Sequence, residues 1–430
     1  MEEVNTGRRY AEKLDEKDPL AEFRNRYIVP DDVVYLDGNS LGLISVDAEE
    51  CLDRVVDEWK ELGIKGWKDA EIPWIWYGER LGDMTAPLIG AEEDEVVVSN
   101  CTTVNIHTLI GTFYDPFKGS KKIIVDELDF PTDHYAIKAQ MKLKGIDPEE
   151  NLIVVESRDG RTIDEEDVVD RMGEDVAIVF LPSVLYRSGQ LLDIEYITEE
   201  AHKRDILAGF DLAHSIGVCP HKLDEWEVDF AVWCNYKYLN SGPGAIAGLY
   251  VNEKHFDSMP ALAGWWGHEK STQFDMNLDF TPAEHSGAWQ IGTIPILSSA
   301  PLEGSLRIIR EAGVDRIRKK SVRLTSYLIS LVDKLLKDEP YNFRVGTPRD
   351  AENRGGHVAI ERDKEAYRIN RAMINRSFIT DFRPPNIIRV CPSPLYTRYV
   401  DVWRFIDNLK EVVQTEEYEK FEQESEEIVY

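Results

Sequence analysis

The sequence predicts an α/β fold: a mostly parallel sheet flanked by helices, followed by a smaller α+β domain. Three observations predict it. Between about residues 94 and 250, short apolar runs alternate with amphipathic stretches, the pattern of a sheet buried on both faces. After about residue 301 the texture changes to long helix-like periodicity with a few isolated strand-like runs. At 430 residues the chain suits one large domain plus a smaller one.

The elements follow in order. EVVVSN leads into TVNIHTLIGTFY, KKIIVDELDF into TDHYAIKAQMKLKG, and NLIVVES into TIDEEDVVDRMG. DVAIVFLP is followed by DIEYITEEAHKRD, and then come ILAGFDLAH, VDFAVWCN and AIAGLYVN. The stretch SLRIIREAGVDRIRKKSVRLTSYLISLVDKLLKD is patterned as a long helix. NFRVGT, HVAIER and IIRVCP are strand-like, with helices near EAYRINRAMINR and YVDVWRFIDNLKEVVQ. We divide the chain into an N-terminal segment (1–50) packing with the small domain, a large domain (51–300) and a small domain (301–430). The acidic end, TEEYEKFEQESEEIVY, reads as a frayed helix or solvated tail.

A net charge of −30 repels nucleic acid and anionic lipid, so neither is expected as a partner. It also predicts self-repulsion at low salt, relieved by screening, as a salt-rich cytoplasm would provide. No stretch approaches the roughly 18 apolar residues of a membrane helix. The charged N-terminus lacks the layout of a signal peptide, which points to a cytoplasmic protein. The five cysteines are scattered without a CxxC, so neither a zinc site nor a disulfide framework is expected.

Sheets of this kind bind ligands beyond the carboxyl ends of their strands, and the residues of interest cluster there. Lys237, in WCNYKYLNSGPG, follows an apolar strand between two tyrosines. An amine there is costly unless paired or deprotonated, and a lowered pKa would make it competent for a Schiff base. A snorkelling surface lysine is the plain alternative. Asp211 and His214, in GFDLAHSIG, end another strand. Asp211 there could hold the charge of a protonated pyridine, or merely cap a helix. Thr102 and Thr103 open a helix after a strand, where N–H groups and hydroxyls hold phosphate or simply cap. In DFPTDHY, Phe130 could stack on a ring and Asp133 accept a hydrogen bond, or the pair could be a staple and a cap. The tryptophans of GWWGHEK fit either a phosphate contact or a packing interface. Arg389, in NIIRVCPSPLY, is placed to clamp a carboxylate or to form a surface ion pair.

Taken together, YLDGNSLG at Tyr35, FPTDHYA at Phe130, GFDLAHSIG at Gly209, WCNYKYLNSGPG at Trp233, GWWGHE at Gly264, GTIPIL at Gly292 and IRVCPSPLY at Ile388 resemble the kynureninase family. The resemblance runs in order from about residue 30 to 410. It implies fold type I of the pyridoxal phosphate enzymes, with a seven-stranded-type sheet. It also implies hydrolytic Cβ–Cγ cleavage of L-kynurenine, and of its 3-hydroxy form as a second substrate, to the anthranilate and L-alanine. Carried over by position, Lys237 tethers pyridoxal 5′-phosphate, Asp211 pairs with its ring nitrogen and His214 lies beside it. Phe130, Pro131, Thr132 and Asp133 meet the ring side, and Thr102, Thr103 and Tyr236 meet the phosphate. Trp265 and Thr293 are expected from the partner subunit of a homodimer, and Arg389 holds the substrate carboxylate. Tyr236 is expected as a general acid as well. Pro182 stands where the family usually has Ser or Thr, so Ser183 is a candidate to supply the missing hydroxyl. The GT before IPIL resembles bacterial members and leans toward L-kynurenine. The rival reading is a cysteine desulfurase or related class V aminotransferase-like enzyme, which needs a nucleophilic cysteine on a mobile loop. Cys391 is the only late cysteine. A further rival is a member that keeps the fold without catalysis, which loss of the lysine or its aspartate would signal.

Overall fold

Seven strands form the central sheet. In the computed structural model, which describes residues 5–423, they are β1 (Val96–Val98), β2 (Lys122–Asp126), β3 (Leu152–Val155), β4 (Val176–Pro182), β5 (Leu207–Asp211), β6 (Phe230–Cys234) and β7 (Ala247–Val251). Each lies within one of the apolar runs named above. Their order across the sheet is β1-β7-β6-β5-β4-β2-β3. Strands β2 to β6 pair in parallel, and β7 is antiparallel to both β6 and β1. Successive side chains point to opposite faces. Ile124, Val179 and Leu181 therefore join one core, while Ile123, Ile178 and Phe180 join the other. Because both faces are covered, the strands are apolar through their middles rather than alternating, with charges only at their ends.

The small domain carries an antiparallel sheet of β8 (Arg344–Val345), β9 (Val358–Glu361), β10 (Asp381–Arg383) and β11 (Ile387–Val390), in the order β10-β11-β9-β8. Its core includes Leu324, Leu328 and Leu331 from one helix, Phe405 and Leu409 from another, and Ala11, Val34 and Leu36 from the N-terminal segment. Val34–Tyr35 also pairs in parallel with Phe378–Ile379. Leu20, Phe23 and Tyr27 of the same segment join the core beneath the large sheet. The N-terminal segment thus straps the two sheets together.

Three features differ from the sequence expectation. The long helical stretch is two helices, Ile296–Ala312 and Val314–Leu335, broken at Gly313 with φ 79°. That left-handed conformation suits glycine and turns the chain. The first helix puts Leu302, Leu306 and Ile309 into the large-sheet core. Strand β10 was not anticipated, because two of its three residues are charged and periodicity reads them as loop. The chain end is docked as far as Phe421: Arg368 Nε donates to the Phe421 carbonyl at 2.7 Å, Phe421 packs on the small-domain core, and residues 422–423 are exposed. The rest of the expected acidic tail lies outside the described residues. No helix among the described residues is long and apolar enough to cross a membrane.

Helix Ile296–Ala312 approaches helix Val46–Leu62 closely through Gly304. A Cβ there would stand 2.2 Å from the Asp47 carbonyl oxygen. Backbone cannot yield as a side chain does, so Gly304→Ala is expected to lower stability by about 1–3 kcal/mol, read from denaturant unfolding.

Candidate active site

The carboxyl ends of β4, β5 and β6 lie side by side, with Pro182 opposite Asp211 and Asp211 opposite Val232. The loops beyond them wall a cavity of about 250 Å³. Pro182, Asp211, His214, Tyr236 and Lys237 line it from the large sheet. Thr102, Thr103, Phe130 and Thr132 line it from two helix starts. The opposite wall is Asn39 and Ser40 of the N-terminal segment with Arg383 and Arg389 of the small sheet.

Lys237 Nζ lies 2.9 Å from His214 Nε2. Burial, and then the positive charges of Lys237 and Arg389, hold the His214 pKa well below its ordinary value. The imidazole is therefore neutral at pH 7, and its buried Nδ1 has no partner. One Asp211 oxygen accepts the Ala213 N–H at 2.7 Å. Burial raises the Asp211 pKa, and Lys237 opposes that shift. The Tyr236 phenol is also pushed up, by burial and by Cys234 beside it, so it keeps its proton.

Asp129 lines the cavity, although nothing in the sequence singled it out. Asp133 is fully buried beside it, with neither carboxyl oxygen partnered by a donor group. Burial and neighbouring carboxylates push both pKa values well above the ordinary range. Two such groups cannot both ionise, so the pair retains a proton at neutral pH.

The hydroxyls of Thr103 and Thr132 meet at 2.8 Å, joining the two helix starts. The half-exposed Phe130 ring stands edge-on to Tyr186 at 5.5 Å. Pro131 begins its helix on the surface and is not at the cavity wall. Ser183 also departs from expectation. Its hydroxyl is buried against Ser215 Oγ at 2.6 Å and the Asp211 carbonyl at 3.2 Å, so it does not replace the hydroxyl that Pro182 lacks.

Arg389 is almost completely buried on β11. Its Nε donates to Asp381 at 2.7 Å, Nη1 to the Tyr186 carbonyl at 2.9 Å and Nη2 to Ser40 Oγ at 2.9 Å. Asp381 also pairs with Arg383 at 2.9 Å. Burial alone would raise the Asp381 pKa, but the two guanidiniums more than offset it and hold the carboxylate ionised. The two guanidiniums share not only the ionised Asp381 but also a second acid, Asp37, whose pKa burial and the Asp381 charge push up to about 7. Arg383 sits in DFRPP, where no sequence signal marked it, whereas Ser40 lay inside the YLDGNSLG motif.

Trp265 and Thr293 are not brought to this cavity. Trp265 is 46% exposed, and its indole donates to the Gln273 carbonyl at 3.2 Å. Thr293 edges an apolar surface hollow of about 490 Å³ with Trp59, Trp67, Trp74 and Leu297.

The family model for the kynureninase C-terminal domain matches residues 317–409, which include β10, β11 and Arg389. Over almost the whole length, the kynureninase of Geobacillus thermodenitrificans (strain NG80-2) is 51% identical across 417 residues, covering 97% of each chain. That of Shouchella clausii (strain KSM-K16) is 52% identical across 415 residues, covering 96% of each. This chain belongs to the kynureninase family. Among solved structures, the apo cysteine desulfurase of Thermococcus onnurineus NA1 shares the fold with a TM-score of 0.77 at 18% identity, covering 92% of this chain and 98% of that one. The cystine C-S lyase C-DES, solved with its product cysteine persulfide, matches with a TM-score of 0.76 at 16% identity, covering 88% and 97%. At such identity these two establish the fold alone. The kynureninase family and not the desulfurases fits the cysteines: Cys391 is fully buried under Tyr238, and burial pushes its thiol up to about 12.

Two measurements check this arrangement. Asp381→Ala strips Arg389 of its counter-ion and is expected to destabilise the fold by about 3–5 kcal/mol, read from urea unfolding. Only Cys101 of the five free cysteines is exposed. One thiol should therefore react with a disulfide reagent in the native protein and the others only after unfolding. Rapid reaction of Cys391 would overturn the assignment of that residue as inert.

Proposed function

We propose that this chain is a pyridoxal 5′-phosphate-dependent hydrolase that cleaves the Cβ–Cγ bond of L-kynurenine, releasing anthranilate and L-alanine. The observation that carries the reading is the convergence of Lys237, Asp211 and Arg389 on one cavity in a chain of the kynureninase family.

The cavity residues fit that cofactor. The start of helix Thr102–Phe113 offers N–H groups without helical partners, together with the Thr102 and Thr103 hydroxyls, for a phosphate. Asp211 sits on the same cavity wall as Lys237 and offers a carboxylate to a ring nitrogen. Lys237 supplies the amine of the covalent tether. The bound cofactor supplies a conjugated ring that accepts electron density from the substrate.

The chain's own groups do the rest. Once the substrate α-amine takes its place on the cofactor, the freed Lys237 Nζ would remove the substrate Cα proton, and the neutral His214 at 2.9 Å keeps that amine oriented. Arg389 is held by Asp381, Tyr186 and Ser40, which leaves one Nη1 hydrogen and its charge for the substrate α-carboxylate, and Arg383 adds a second charge to the same wall. Water adds to the γ-carbonyl, and Tyr236, held protonated, gives its proton to Cβ after the bond breaks. We also propose a homodimer in which Trp265 and Thr293 reach the partner's cofactor. Both residues are exposed, and Thr293 edges an apolar hollow, which supports this. The charge of −30 supports a protein that stays clear of nucleic acid.

Incubation with L-kynurenine is expected to release fluorescent anthranilate. Lys237→Ala should abolish both this activity and the visible absorption of the tethered cofactor. Tyr236→Phe should keep the absorption and lower turnover by roughly 10²–10⁴-fold. Alanine formed from L-cysteine, with no anthranilate formed from kynurenine, would make the enzyme a desulfurase instead.

A further inference from the structure

A second cavity, of about 470 Å³, lies where the N-terminal segment meets helices Val314–Leu335 and Tyr399–Gln414. It shares no lining residue with the catalytic cavity. Its size falls within the range of small-molecule sites.

Its charge is anomalous. The chain has 80 acidic and 50 basic residues, yet this cavity is lined by Lys17, Arg316, Lys319, Lys320 and Arg323 against a single acid, Asp18. Lys320 and Asp18 form a buried pair at 2.6 Å and cancel. Arg316 spends one guanidinium donor on the Pro19 carbonyl at 3.0 Å. Lys17, Lys319 and Arg323 have no side-chain hydrogen bond or ion pair among the described residues, and all three are exposed. In an acidic chain, unpaired cations gathered at one opening form a local well for an anion.

The walls are aromatic. The Tyr10 and Tyr327 ring centroids are 6.1 Å apart, and those of Tyr327 and Tyr399 are 6.0 Å apart. Tyr327 is 3% exposed and its hydroxyl has no hydrogen-bond partner. A buried phenol left unsatisfied is costly, and a ligand atom arriving in the cavity would relieve that cost. Asp15 does not supply it, because its two carboxylate oxygens cap the next helix through the Tyr399 and Val400 N–H groups at 2.6 and 3.0 Å.

We infer that this cavity is a second binding site, for a small aromatic carboxylate. The ring packs among Tyr10, Tyr327 and Tyr399, the Tyr327 hydroxyl bonds to the ligand, and Lys17, Lys319 and Arg323 meet the carboxylate. A bare inorganic anion would leave the aromatic walls unused, and a neutral ring would leave the cations unused.

The test is equilibrium dialysis of the holoenzyme against anthranilate, with benzoate and acetate as competitors. The wild type is expected to bind two anthranilates per chain, one at the catalytic cavity and one here. A Lys319→Ala, Arg323→Ala double variant, altered only on the surface, should bind the second roughly tenfold or more weakly. Tyr327→Phe should weaken it several-fold while leaving the core packed. Both variants should keep kcat and KM for kynurenine within about twofold. Benzoate should displace the second anthranilate and acetate should not. The inference is overturned if no bound anthranilate responds to either variant, or if acetate displaces it as well as benzoate does. Loss of kynurenine cleavage in the wild type, with the second site still titrating, would sink the proposed reaction and leave this site standing.

Discussion

A guanidinium buried as deeply as that of Arg389 survives only if its charge and its donors are matched. Each partner comes from a different part of the chain. Asp381 is on the neighbouring strand, the Tyr186 carbonyl is in the loop after β4, and Ser40 belongs to the N-terminal segment. Closing the cavity wall therefore requires the large sheet, the small sheet and the strap between them to be in register together. The N-terminal segment is held for the same purpose: Leu36 bonds to Ile379 across the small domain, and Cys391 N–H bonds back to Leu36. Motifs far apart in sequence turn out to serve one ion pair.

The other wall is an electrostatic balance around a single amine. Lys237 stands near a neutral imidazole and a buried carboxylate, Asp211. Behind them Asp129 and Asp133 keep a proton because burial and mutual repulsion forbid a second negative charge. The arrangement limits uncompensated charge among buried groups. The guanidiniums of Arg389 and Arg383 remain the attraction for an incoming carboxylate.

Much of this was legible in the sequence. All seven strands of the large sheet lie in the apolar runs, because strands covered on both faces carry no polar interruptions. Lys237, Asp211, His214, Thr102, Thr103 and Arg389 could be picked out because strand ends and helix starts have recognisable local patterns. What failed to show did so for physical reasons. β10 and Arg383 are charged residues buried by partners elsewhere in the chain, and periodicity assigns such residues to loops. The break at Gly313 hides inside a helical pattern that continues on both sides of it. Nothing local marked Asp129, whose role depends on the fold placing it against Asp133.

By itself, then, the sequence determined the α/β class, the strands of the large sheet, the family, and Lys237 and Asp211 as candidates at the strand ends. Each of these depends on short-range pattern or on motif. The tertiary structure decided which groups face one another. It assigned the Ser183 hydroxyl to Ser215, left Trp265 and Thr293 on the surface, paired Asp129 with Asp133 and gave Arg389 its counter-ion. Those outcomes depend on desolvation and on contacts between residues hundreds of positions apart, which no local pattern records.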